Sequence, residues 1–145
     1  MQCPQSNHRV QVDSGIDKNI ALELYSSHGM GGRITDEFSH WWDGLTEAEQ
    51  VDVNAKVILL QKIGPGLPRP HADLIHSSRH PNMKELRVQH SGRPYRVLFA
   101  FDPRRCAILL IGGDKTGNDR WYEEFVPISD ALYDRHLEAL KKEEK

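Results

Sequence analysis

At 145 residues, 38% hydrophobic and 28% charged, the chain has the size of one globular domain with a modest core. No apolar run approaches the roughly 20 residues of a membrane helix. The opening MQCPQSNHRVQVDSG lacks the basic start and apolar stretch of a secretory signal, so a cytoplasmic protein is expected, with no membrane partner. The formal charge of −2 argues against a generic nucleic-acid binder.

In chain order, the first thirty-odd residues hold one pattern. Ile20, Leu22 and Leu24 of IALELY alternate as in a short strand, and SSHGMGG breaks the chain. Residues 1–32 are set apart as an N-terminal extension: a structured addition, a tail, or the product of a start upstream of Met30. Thr35 is the predicted N-cap of a short helix over DEFSHWWDGL, with Asp36 and Glu37 in its first turn. Phe38, Trp41, Trp42 and Leu45 follow helical spacing on its buried side. TEAE is a capping box, Thr46 capping and Glu49 reaching back. The helix it opens carries an apolar stripe of Val51, Ala55, Ile58 and Leu59, widened by Val57 and Leu60, and ends at Gly64-Pro65-Gly66.

After the Pro-rich GPGLPRPHAD, LIHSS suits a short strand. MKELRVQH alternates, Leu86 and Val88 opposing Glu85, Arg87 and Gln89. Ser91-Gly92-Arg93-Pro94 turns the chain. In YRVLFAFD, Tyr95, Val97, Phe99 and Phe101 oppose Arg96, Leu98 and Ala100. Asp102-Pro103-Arg104-Arg105 is a tight turn, and CAILLIGG is a continuous apolar run suited to a central strand. Cys3 and Cys106 form no metal spacing, and Cys106 reads as a reduced core thiol. DRWYEEF is expected to make a helical turn, with Ser129 capping a last helix whose lysines suit its C-terminus. The order implies an α+β domain, helices covering one face of an antiparallel meander.

The charge is unevenly spread. Residues 79–120 carry a net +5, which leaves −7 for the remainder. Charge alone leaves two readings open: a polyanion-binding face on an acidic body, or a strand edge kept from pairing by its charge. Arg87 and Arg96 arrive from neighbouring antiparallel strands, and like charges set opposite each other are unfavourable unless an anion sits between them. Lys115 leaves the last strand after Gly112-Gly113, Arg120 and Tyr122 follow, and Lys84 starts the first strand of the hairpin. The set suggests a concave cationic surface for a phosphate backbone, with a phenol for proton transfer or base stacking. Tyr122 as plain packing and Lys115 as turn chemistry remain open. His71, His76 and His80 span a Pro-rich loop without metal-site spacing, and no metal or cofactor is expected.

SRHPNMKELR, GRPYRVLFAFDPRR, LLIGGDKTG and RWYE, with TDEFSHWW and GPGLPRPHAD, resemble the HigB/Gp49-like branch of the RelE/ParE toxin superfamily from about residue 35 to 140. Relatives open with a strand before the TDEF-like helix, where this chain has only GGRI. The resemblance implies a RelE-like domain over 33–145: an N-terminal helical hairpin packed on an antiparallel sheet, then a C-terminal helix. It implies a type II toxin, silenced by a cognate helix-turn-helix antitoxin, that cuts mRNA in the ribosomal A site without metal. In that chemistry the RNA 2′-hydroxyl attacks the adjacent phosphate. A base, cations for the phosphorane and an acid for the leaving oxygen are needed. Carried over, Arg87 and Arg96 match strand arginines that grip phosphate, Lys115 a basic residue ending the last strand, and Tyr122 a stacking or proton-transferring tyrosine. Lys84 is the candidate base, a role for which cationic neighbours would have to lower an ordinary lysine pKa of about 10.4, with His80 or His90 as further options. Arg79, His80, His90, Arg93 and Arg120 are candidate RNA contacts. Two other readings keep the fold: a ParE-like inhibitor of DNA gyrase that cuts nothing, and an inactive antitoxin-binding corepressor.

Overall fold

The computed structural model describes residues 33–143; the strand expected at 20–25 lies outside them, as does Met30. Two helices open the fold, α1 (Asp36–Asp43) and α2 (Glu47–Ile63), and a 3-10 turn follows at Gly64–Gly66. Thr35 Oγ1 accepts from the Phe38 amide at 2.9 Å and donates to Leu110 O at 2.6 Å, so one side chain both caps α1 and ties it to the sheet. Both halves of the Thr46–Glu49 capping box are formed.

Four strands follow in antiparallel order: β1 (Ala72–Leu74), β2 (Met83–His90), β3 (Arg93–Phe101) and β4 (Ala107–Asp114). β1 ends at Leu74, a residue into the LIHSS segment, and Ala72–Leu74 pair with Leu86–Lys84. Ser91 and Gly92 have φ of 50° and 78°. Positive φ at both central residues matches the twist of the two-residue β2–β3 hairpin.

The helices cover both faces of the sheet, not one. Phe38, Trp42, Val53, Val57 and Leu60 pack on Leu86, Val88, Tyr95, Val97 and Phe99. The last helix, α3 (Trp121–Glu143), lays Trp121, Val126, Leu132 and Tyr133 on Met83, Leu98, Ala100 and Ile108 of the other face. Leu98 and Ala100 alternate with the residues under α1 and α2, so a second apolar face was present to be covered. β4 is continuously apolar for the same reason. It stands at the end of the strand order, and a single parallel bridge from Ile34 to Leu109 flanks it; GGRI supplies no more than this bridge among the described residues.

α3 is one helix where a turn and a separate helix were expected. Pro127 lies inside it, and Ser129 is fully buried, its Oγ donating to Val126 O at 2.8 Å, so it caps nothing. A proline in a helix interior costs about 3 kcal/mol; burial of Trp121, Val126, Leu132 and Tyr133 on both sides of it offsets that. Cys106 is fully buried in this layer and is disulfide-bonded, which corrects the expectation of a reduced thiol; Cys3 lies outside the described residues.

A register shift between Leu98 and Phe99 sets Leu98 opposite Ile111 and Phe99 opposite Leu109. Leu110 is thus the extra residue of a β-bulge. Leu110 and Ile111 both pack on the α3 side, and the alternation beyond them is inverted. Gly112 then faces the Trp41 ring on one side of the sheet, and Gly113 the Trp121 ring on the other.

The β3–β4 turn is closed by a buried carboxylate. Asp102 Oδ2 takes His136 Nε2 at 2.9 Å and Arg104 Nη2 at 3.0 Å, and Oδ1 takes the Cys106 amide at 3.1 Å. Burial raises the Asp102 pKa, but the bonds from His136, Cys106 and Arg104 outweigh it and leave the carboxyl below its ordinary value. A carboxyl depressed on folding adds stability above its unfolded pKa, about 3.9, and that stability is lost as pH falls through the folded value. The urea midpoint is expected to drop between about pH 5 and pH 3, less steeply in Asp102→Asn. The same acid slope in that variant would assign the effect to other groups.

Candidate functional site

Strand parity decides which charges meet. Leu86 and Val88 face α2, so Glu85 and Arg87 project to the opposite face, as does Arg96 between Tyr95 and Val97. The hairpin register pairs Arg87 directly with Arg96. β4 ends beside them: Gly113 is paired with Arg96, and the Lys115 amide donates to Pro94 O at 2.9 Å. The first turn of α3 brings Tyr122 over the pair, with Lys115 Nζ 5.6 Å from its ring centre. Arg87, Arg96, Lys115 and Tyr122, dispersed over 36 positions of sequence, therefore do converge.

An anion sits between the two arginines, and it is the chain's own. Glu85, 3% exposed, takes Arg87 Nε on Oε2 at 3.0 Å and Arg96 Nε on Oε1 at 3.3 Å. The Tyr122 hydroxyl donates to the same Oε1 at 2.5 Å. Arg87 Nη2 also reaches Asp73 Oδ2 at 3.1 Å, and Asp73 is the cross-strand partner of Glu85. The hydrogen bond that Arg87 donates to Glu85 holds it still more firmly protonated than an ordinary arginine. Burial, then the Glu85 hydrogen bond, pushes the Tyr122 pKa upward, so Tyr122 is a phenol and a donor at neutral pH. Beside the pair, Arg87 and Arg96 line a groove of about 480 Å³ with Asp52, Lys56, Pro70 and Gln89.

The other expected site residues lie elsewhere. Lys84 is three residues from Arg87, hence on the opposite face, where its Nζ donates to Pro65 O at 3.1 Å. The expectation that it shares the arginine pocket is not met. Arg79 pairs with Asp134, and His80 Nε2 meets the same carboxylate at 2.8 Å; both fasten the β1–β2 loop to α3. His90 Nδ1 meets Asp52 of α2 at 2.7 Å. Arg93 bridges Asp114 at 3.2 Å and Glu49 at 3.6 Å, where Glu49 also accepts from the Tyr95 hydroxyl. Arg120 holds Glu123 at 2.8 Å on an exposed turn.

The open cationic face, one of the two readings the charge count left open, is thus largely self-neutralised. Acids from α2, β1 and α3 fold back on Arg79, Arg87, His90 and Arg93, so the −7 of the remainder meets the +5 of residues 79–120. Glu85 and Asp73 are the acids that meet these arginines; the charge count took in Glu85 without placing it, and Asp73 lies outside residues 79–120. The signal for Glu85 was its parity: an acid two positions from Arg87 shares its face, while Lys84 does not.

Among the described residues no helix is long and apolar enough to cross a membrane. A model of the family described as "Phage derived protein Gp49-like (DUF891)" matches residues 40–134. The chain is 45% identical over 98 residues to "Putative toxin HigB3" of Mycobacterium tuberculosis, covering 67% of this chain and 84% of that one. It is 41% identical over 104 residues to "Putative toxin HigB2" of the same organism, covering 70% of this chain and 52% of that one, about half its length. No solved structure matches. With most of the chain accounted for by this family model and by HigB relatives, the protein belongs to the HigB/Gp49-like family of toxins.

Proposed function

We propose that this chain is the toxin of a type II toxin–antitoxin pair and that it cuts mRNA on translating ribosomes in the cytoplasm, without a metal. The observation that carries the reading is the direct cross-strand pairing of Arg87 with Arg96, on the face that Tyr122 and Lys115 also reach. Two guanidiniums side by side match two oxygens of one phosphate. As the 2′-oxygen bonds to phosphorus its proton passes to solvent water, charge grows on the non-bridging oxygens, and preorganised cations lower the barrier where it grows. The O5′ bond then breaks, leaving a 2′,3′-cyclic phosphate and a 5′-hydroxyl. Lys115 is the donor for the departing O5′, and Tyr122, whose hydroxyl proton is held by Glu85 Oε1, offers its ring for base stacking. With Lys84 on the far face, orientation and charge stabilisation carry the reaction.

Primer extension on mRNA from translating cells is expected to show cuts at fixed positions within codons after expression of the parent, and none after co-expression of a neighbouring helix-turn-helix antitoxin. Loss of DNA integrity with intact mRNA would favour the gyrase-inhibitor reading instead. Antitoxin binding with no toxicity would favour the corepressor.

A further inference from the structure

We propose that Glu85 is a positioning residue of this site: an internal counter-anion under the two strand arginines that holds their guanidiniums side by side and limits how tightly the site grips an RNA phosphate. The catalytic half of this inference rests on the nuclease reading above; the binding half does not.

Two directly opposed arginines repel, and each long side chain has rotamer freedom to splay away. Glu85 opposes both tendencies at once. It holds each arginine by the inner nitrogen, Nε, at 3.0 and 3.3 Å. Arg87 Nη2 is turned to Asp73 and Arg96 Nη1 to Tyr95 O at 3.0 Å. Arg87 Nη1 and Arg96 Nη2 are then the atoms left to meet an incoming anion. A carboxylate this buried is costly unless its hydrogen bonds are made, and the Tyr122 hydroxyl adds a third donor at 2.5 Å. The same three contacts orient Tyr122. Arg87, Arg96 and Lys115 against Glu85 and Asp73 give a local charge of +1, which one phosphodiester balances. Without Glu85 the site would hold any polyanion harder and place it less well.

The test is Glu85→Gln, which keeps an oxygen acceptor and the side-chain shape but removes the charge. Binding of a 2′-O-methyl RNA oligonucleotide, which lacks the attacking hydroxyl, is measured against salt beside cleavage on ribosomes. The variant is expected to bind more tightly than the parent at low salt. Its affinity should fall by an extra factor of roughly 2.6 between 50 and 200 mM salt, as one more effective cation requires. Its cleavage rate should drop about tenfold or more, because small misplacements of reacting groups are expensive. Tighter binding with slower cutting is a pairing that loss of fold does not produce. Unchanged binding and cutting, or a parallel loss of both with the melting temperature intact, overturns the proposal.

If Glu85→Gln does not fold, Asp73→Asn at the part-exposed sheet edge removes the other counter-charge of Arg87 and is expected to tighten oligonucleotide binding in the same way; unchanged binding overturns it. A parent that binds the oligonucleotide but cuts nothing defeats the nuclease reading and leaves the binding half of the Glu85 inference standing. A parent that binds no RNA defeats the Glu85 inference itself.

Discussion

Arg96→Lys is expected to lower cleavage on ribosomes by about 10²–10³-fold, with growth arrest lost in proportion. Lysine keeps a positive charge beside the buried Glu85 carboxylate, so the fold survives. It does not keep the planar fork that stays on Glu85 through Nε and on Tyr95 O through Nη1 while Nη2 meets a phosphate oxygen. Arg96→Ala is the harsher change. Arg96 is 12% exposed in its side chain and stands 3.3 Å from Glu85, and removing one partner of a buried pair costs about 3–5 kcal/mol. Loss of activity in the alanine variant would therefore mix stability with chemistry, and the lysine variant separates them. Lys84→Ala is the control from the opposite face and is expected to leave cleavage within about twofold of the parent, since ordinary surface changes are small. Growth arrest by Arg96→Ala equal to the parent's would sink the mechanism. Abolition of cutting by Lys84→Ala would put that ammonium into the reaction despite its place on the sheet.

Gly112→Ala is expected to destabilise the domain by about 2–3 kcal/mol, at the upper end of overpacking, and to lower Tm by about 10 °C for a chain of this size. A Cβ at Gly112 would lie 2.4 Å from Cε3 and Cζ3 of Trp41. The ring is hemmed in by Phe38, with centroids 5.6 Å apart, and by Tyr95 at 6.5 Å, so it cannot swing clear without disturbing the α1 layer. Trp41→Leu shortens the obstructing side chain. In that background the alanine should cost at least about 1 kcal/mol less, a coupling that a double-mutant cycle reads directly. Additive effects would show that the glycine is needed for backbone reasons and not for the tryptophan. Gly113 plays the same part on the other face, where a Cβ would lie 2.8 Å from Trp121 Nε1.

The glycine pair bears on the site as well as on stability. With Gly113 beside Arg96 in the register, Trp121 closes over the sheet, and the next residue, Tyr122, arrives above the arginines. A side chain at Gly113 would lift the start of α3 and carry the phenol away from Glu85.

Local physics determined much of this protein from its sequence. Thr35 and Thr46 opened their helices as caps, because the orphan amides of a helix start are satisfied within three residues. The alternation of MKELRVQH and YRVLFAFD placed Leu86 and Val88 under α2 and Arg87 and Arg96 on the other face, because successive strand side chains must point to opposite sides. That same period placed Lys84 apart from Arg87, and counting it among the site cations overlooked parity. Other features depended on contacts distant in sequence. α3 continues past Pro127 because burial outweighs the missing hydrogen bond. The bulge at Leu110 decides which of the two glycines faces Trp41 and which faces Trp121. Above all, the sign of the site's field was decided in three dimensions. Summing charges along the chain suggested an open cationic face, whereas folding brings Asp73, Glu85, Asp52 and Asp134 onto the basic groups. Charge interaction depends on distance in space, and tertiary packing alone sets which opposite charges come within reach.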